Sequence, residues 1–140
     1  MFTKNFAEQM AAWRDFRQSL EDSEDPFRRV LEFYSQAPLT TISCDPWDRK
    51  TWASPWELLE ENQYCRFSVV LGMCYSLQLT DRFKTSDFEI HICTFDNLGY
   101  VYLLFVDNMV LGYEENQVVN KKEIREQLNS QEVYSMPTLL

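Results

Sequence analysis

Near residue 87 the hydrophobic period of this chain changes from three-to-four residues to two, and that switch limits the fold more than any other feature. Before it, Phe2, Phe6, Met10, Trp13, Phe16 and Leu20 recur at the spacing of one helical face and predict an amphipathic helix over about 3–20. The run Glu21 to Asp25 is too charged to continue that face and reads as a solvated turn. Asp25 followed by Pro26 then signals a new start, because an aspartate caps free N–H groups and a proline lacks one. Phe27, Val30, Leu31 and Tyr34 carry this second helix, which Pro38 stops. Ser54-Pro55-Trp56-Glu57 is a capping box opening a short helix through about Glu61. Asn62 is placed to cap a stronger helix over about 63–79, uncharged between Arg66 and Asp81 and so expected to be central.

After the switch, Phe88, Ile90, Ile92 and Thr94 fall on one face of a strand, and Glu89, His91, Cys93 and Phe95 on the other. Asp96-Asn97-Leu98-Gly99 supplies turn residues, Tyr100 to Val106 a second strand, and Met109 to Tyr113 a third beyond the Asp107-Asn108 turn. Asn120-Lys121-Lys122-Glu123 predicts a final short helix through about Leu128, followed by a tail with little pattern. Helices followed by a meander give an α+β fold: N-terminal helices, then a central helix packed on an antiparallel hairpin or meander. One domain is expected over 1–140, with a helical part at 1–40, a core at 54–113 and a C-terminal helix and tail at 120–140.

The chain carries 13 Lys+Arg against 22 Asp+Glu, a net charge of -9, which argues against nucleic acid as a partner because phosphate-binding grooves are lined with clustered cations. No secretory signal is expected in Met1 to Leu20, which holds Lys4, Glu8, Arg14, Asp15 and Arg17. The longest nearly uncharged apolar stretch, Phe67 to Leu79, falls short of the ~20 residues that cross a bilayer, so no membrane partner and a cytoplasmic location are expected. In that compartment Cys44, Cys65, Cys74 and Cys93 stay reduced. Their spacing contains no Cys-x-x-Cys pair, and His91 is the one histidine, so no metal and no cofactor are expected.

Three residues could carry chemistry. Cys65 falls in the first turn of the central helix if Asn62 is the cap, where the helix dipole favours a thiolate. It shares a helical face with Ser68, Val69, Gly72 and Ser76, whereas Cys74 lies on the opposite, apolar side and reads as core filler. His91 is the available general base, and a hairpin centred on Gly99 sets it opposite Asp107, with Cβ atoms ~4.5–5.5 Å apart. A turn centred between Asn97 and Leu98 would instead put Asp107 opposite Phe88. Each residue also has a plainer reading: Cys65 as a small residue in a helix contact, His91 as a satisfied strand residue, Asp107 as a turn former. Trp47, Trp52 and Trp56, close in sequence and just before the central helix, either line a cleft or contact surface or complete the core.

Pro55-Trp56-Glu57-Leu58-Leu59, then Cys65-Arg66-Phe67 opening an apolar helix, then a hairpin that begins with His91 and ends with Asp107, resembles the transglutaminase-like superfamily of papain-like cysteine enzymes. The resemblance covers about 54–113 and implies Cys65 as nucleophile, His91 as base and Asp107 as orienting acid, without metal or organic cofactor. Gln63-Tyr64 stands where that family usually has Gly-Asp, and Cys93 where it usually has an aromatic residue. The chain also looks like small proteins of this type encoded by tailed bacteriophages. Two functions follow as expectations: a transglutaminase-like scaffold with little or no catalysis, binding protein partners as a structural subunit of a larger assembly such as a virion tail or neck, or an active thiol acyltransferase or amide hydrolase. The first is the preferred expectation, with the protein cytoplasmic or in a virus particle assembled there.

Overall fold

The computed structural model describes residues 1–39, 44–95, 99–114, 117–124 and 128–137. Helix α1 (Phe6–Glu21) starts where the Asn5 side chain accepts the Glu8 N–H at 2.9 Å, and it buries Trp13, Phe16 and Leu20. Helix α2 (Pro26–Tyr34) is capped by Asp25, which accepts the Arg28 N–H, and buries Val30, Leu31 and Tyr34. In α3 (Pro55–Glu61) the Ser54–Glu57 capping box closes in both directions. Helix α4 (Arg66–Gln78) is buried on nearly every side, as an uncharged central helix requires. Asn62 caps the end of α3 rather than the start of α4, adopting the left-handed conformation at φ 49° and donating to the Phe2 carbonyl at 2.7 Å. Cys65 therefore becomes the N-cap of α4, one position earlier than a first-turn residue.

Strands β1 (Phe88–Phe95), β2 (Tyr100–Val106), β3 (Met109–Glu114), β4 (Gln117–Asn120) and β5 (Leu128–Met136) form an antiparallel sheet in the order β4-β3-β2-β1-β5. The fold is α+β, as the period switch predicts. The helices cover one face: Phe88, Ile90, Ile92, Leu104 and Leu111 join α4 in a single core. Cys93, Leu103, Phe105, Val110 and Val119 make a smaller core on the other face, where Ile124 packs against them. The segment after β4 reaches that face at Ile124, and β4 and β5 lie at opposite edges of the sheet. No helix among the described residues is long and apolar enough to cross a membrane.

The C-terminal region departs from expectation. Asn120 caps as its sequence suggests, accepting the Lys122 N–H at 3.0 Å, but the helix it opens is a single 3-10 turn, Lys121–Glu123. The chain then returns as β5, pairing along the whole of β1. A strand wins here because the open edge of β1 offers a ladder of unpaired peptide groups to nine residues that have no helical apolar face. The expected turn residues Asp96 to Leu98, and Arg125 to Gln127 of the expected helix, lie outside the described residues.

Candidate functional site

The Cys65 thiol is 8% exposed and belongs to the helix-side core, with its Sγ 3.1 Å from the Ser68 Oγ. Ser68 lines a polar recess of about 180 Å³ shared with Cys44, Lys50, Trp52, Glu57 and Glu61, so Cys65 is connected to that recess through its Ser68 neighbour. Cys74 is fully buried, and burial pushes its thiol well above the ordinary range, as core filler should behave.

His91 lies on the other side of the sheet. Strand alternation sets Ile90 and Ile92 against α4, and so turns His91 toward the second core, where its ring stacks on Phe105 with centroids 3.8 Å apart. The sheet itself therefore stands between the Cys65 sulfur and the imidazole. Burial holds the His91 pKa below its usual value, opposed by the hydrogen bond and charge of Glu89 and reinforced by Lys121, so the ring is neutral near pH 7.

Asp107 is not opposite His91. The observed register pairs His91 with Leu103 and Phe88 with Val106, which carries Asp107 past the end of β1 to meet Asp87. There the Asp107 N–H donates to the Asp87 carbonyl and its Oδ1 accepts the Asp87 N–H, both at 2.9 Å. With φ at 52°, Asp107 is the left-handed residue of the tight β2–β3 turn, a position that suits a short polar side chain. Its carboxylate closes the strand end, and neither expected partner of Asp107, His91 or Phe88, stands opposite it.

The three tryptophans divide: Trp47 and Trp52 share Asp45 and Tyr134 as neighbours, whereas Trp56 packs on Trp13. Trp52 packs on Phe67 and Tyr134 with centroids 4.8 and 4.7 Å away, and its indole N–H donates to the Asp45 carbonyl at 3.2 Å. Trp56, 48% exposed, meets Trp13 edge-on beside α1. Trp47, 45% exposed, meets Tyr100 edge-on at 5.4 Å, next to an apolar pocket of about 380 Å³ between α2, α4 and β2. Leu31, Val69, Met73 and Tyr102 line that pocket, Leu39 and Tyr100 stand exposed at it, and Arg66 is its one charged side chain among the described residues.

No family model, curated protein or solved structure matches this chain. The site is therefore defined by its geometry alone. Among the described residues no group of three His, Cys, Asp or Glu side chains is arranged to hold a metal ion.

A different constellation appears around His91. Its Nδ1 is 2.8 Å from the Ser130 Oγ and its Nε2 is 3.2 Å from the Glu89 Oε1, while the Cys93 Sγ lies 3.6 Å from the same Ser130 oxygen. The sequence marks Glu89 and Cys93 as neighbours of His91 by alternation, but gives no sign of Ser130. That residue arrives through a bulge: Ile92 pairs with Glu132 and Cys93 with Ser130, so Gln131 is the extra residue in β5. One inserted residue reverses the facing of everything before it in the strand, and this is what turns Ser130 toward His91.

Proposed function

We propose that this chain is a protein-interaction or structural subunit of a larger assembly, built on a transglutaminase-like scaffold whose thiol takes no part in catalysis. The scaffold reading is supported by chain order, since Cys65 begins the helix that packs on the hairpin and His91 follows on the first strand. The absence of thiol chemistry is supported by facing, since a general base must come within hydrogen-bond reach of its nucleophile, directly or through one water. A virion tail or neck is the kind of assembly that the phage resemblance implies.

The observation that carries the interaction reading is the apolar pocket between α2, α4 and β2. Its volume is within the ~300–1,000 Å³ typical of binding sites, and the rings of Tyr100 and Trp47 extend it onto the surface. Leu39 is 62% exposed and Tyr100 53%, a large apolar area to leave in water beside a concave site. Arg66 adds a cation on a chain of net charge -9. The matching partner presents an apolar side chain next to a carboxylate, the first for the pocket and the second for the guanidinium.

A photo-crosslinking residue in place of Tyr100, in the cells that make the chain, is expected to give one defined protein adduct. Val69→Trp, which fills the pocket from α4, should remove that adduct, and the same crosslinker at exposed Lys122 should give none. The reading fails if the Tyr100 adduct persists in Val69→Trp or if both positions give the same products.

A further inference from the structure

Glu89, His91 and Ser130 are joined in the order acid, imidazole, hydroxyl, and we infer that they form a relay making the Ser130 Oγ a nucleophile toward carboxylic esters. This goes beyond the interaction reading and uses the opposite face of the sheet. The hydrogen-bond directions support it. An ionised Glu89 can only accept, so Nε2 carries the imidazole proton and Nδ1 is left as an acceptor. The Ser130 O–H therefore donates to Nδ1 at 2.8 Å, within the range required of a nucleophile and its base. Burial keeps the Cys93 thiol protonated, so its S–H faces the Ser130 oxygen as a weak donor and leaves the serine proton directed at the histidine.

Exposure is graded in the sense the chemistry needs. Ser130 is an exposed residue, the His91 side chain is 11% exposed and that of Glu89 38%. The nucleophile belongs to an exposed residue of β5, while the base is sheltered and held flat against Phe105. The bulge at Gln131 is what places the hydroxyl on this face, and bulges commonly re-aim one side chain in this way.

The step balances without a further reactant. A lone pair of Ser130 Oγ forms a bond to the ester carbonyl carbon as its proton passes to Nδ1 of His91, and Glu89 stabilises the resulting imidazolium through Nε2–H. Collapse breaks the bond to the alkoxide, which takes the proton from Nδ1 and leaves as alcohol. Ser130 is then O-acylated, and water attacking by the same route releases the acid.

The test uses the full chain with two probes, a fluorophosphonate and p-nitrophenyl acetate, the modified residue being identified by mass spectrometry. Both should mark Ser130 and not Ser135, an exposed serine of the same strand. Ser130→Ala should abolish the mark, and His91→Gln should slow it by about 100-fold, the lower end of what general-base catalysis contributes. The charged or titratable groups facing His91 are Glu89, Cys93 and Lys121, and burial holds its pKa below the ordinary 6.5. The labelling rate should thus level off above about pH 7, whereas an unassisted hydroxyl would keep gaining about tenfold per pH unit. Glu89→Gln, which removes the carboxylate that stabilises the imidazolium, should lower the midpoint of that profile. Wild-type-like circular dichroism would separate these effects from misfolding, and Ser130→Ala, at an exposed site, preserves the fold in any case. Absence of label at Ser130, equal labelling of Ser135, or a His91→Gln rate equal to wild type would overturn the inference.

Discussion

Replacing Ser76 with alanine is expected to lower the melting temperature by roughly 10 °C, a loss of about 3 kcal/mol in a domain of this size. Ser76 is fully buried on α4 and joins three helices through one oxygen. Its hydroxyl donates to the Gly72 carbonyl at 2.8 Å, so it can only accept from the Trp13 indole N–H at 2.9 Å and the Tyr34 hydroxyl at 3.0 Å. Alanine removes the acceptor of the hub: the Trp13 indole N–H can turn to the Tyr34 oxygen beside it, but the buried Tyr34 O–H loses its acceptor, at ~1–3 kcal/mol, while the lost oxygen itself contributes little packing. The Tyr34 pKa, pushed up to about 12 by burial, shows how dry this junction is. Thermal unfolding followed by circular dichroism measures the loss. Tyr34→Phe should cost less in the Ser76→Ala background than alone, because there it removes an orphaned hydroxyl. Additive losses would contradict the hub.

Gly72→Val is the second large effect, with an expected loss of about 3 kcal/mol in urea unfolding. A Cβ at Gly72 would sit 2.5 Å from the Tyr34 Cε1 and 2.8 Å from its Cζ. That ring cannot swing aside: its hydroxyl is tied to Ser76, and Phe2, Phe33 and Tyr64 pack against it. Losing a helical glycine returns less than ~1 kcal/mol of propensity, so the clash decides the sign. In a Tyr34→Ala background the valine should be nearly harmless, and a full loss there would place the contact elsewhere.

These two residues show what sequence could and could not supply. Ser68, Gly72 and Ser76 share the face of Cys65, and their small size could mean a catalytic cleft or a close helix contact. The Tyr34 ring against Gly72 is the contact, and it came from α2, far away in sequence. Helices α1 to α4 were legible because apolar spacing and caps are local signals. Register was not: the observed β1–β2 pairing shifts the partner of Asp107 by four residues, from His91 to Asp87, and side-chain alternation alone does not choose between pairings that differ by an even number of residues. The facing of His91 was implicit in the alternation. Once Phe88, Ile90 and Ile92 are read as the face that takes the apolar helix, His91 must turn away from anything on that helix, Cys65 included. Ser130 was beyond reach because a bulge leaves no periodic trace, and the polar run from Asn129 to Glu132 has none of the β-branched residues that announce a strand.

The central claim is that the sheet separates Cys65 from His91. It is tested most directly by the rate at which iodoacetamide modifies each cysteine of the folded chain, with and without His91→Gln. Separation predicts that Cys65 reacts more slowly than the same thiol in the unfolded chain, and at a rate the histidine substitution leaves unchanged. A Cys65 that outpaces the unfolded thiol, and that loses its advantage in His91→Gln, would put the two side chains together and contradict the account.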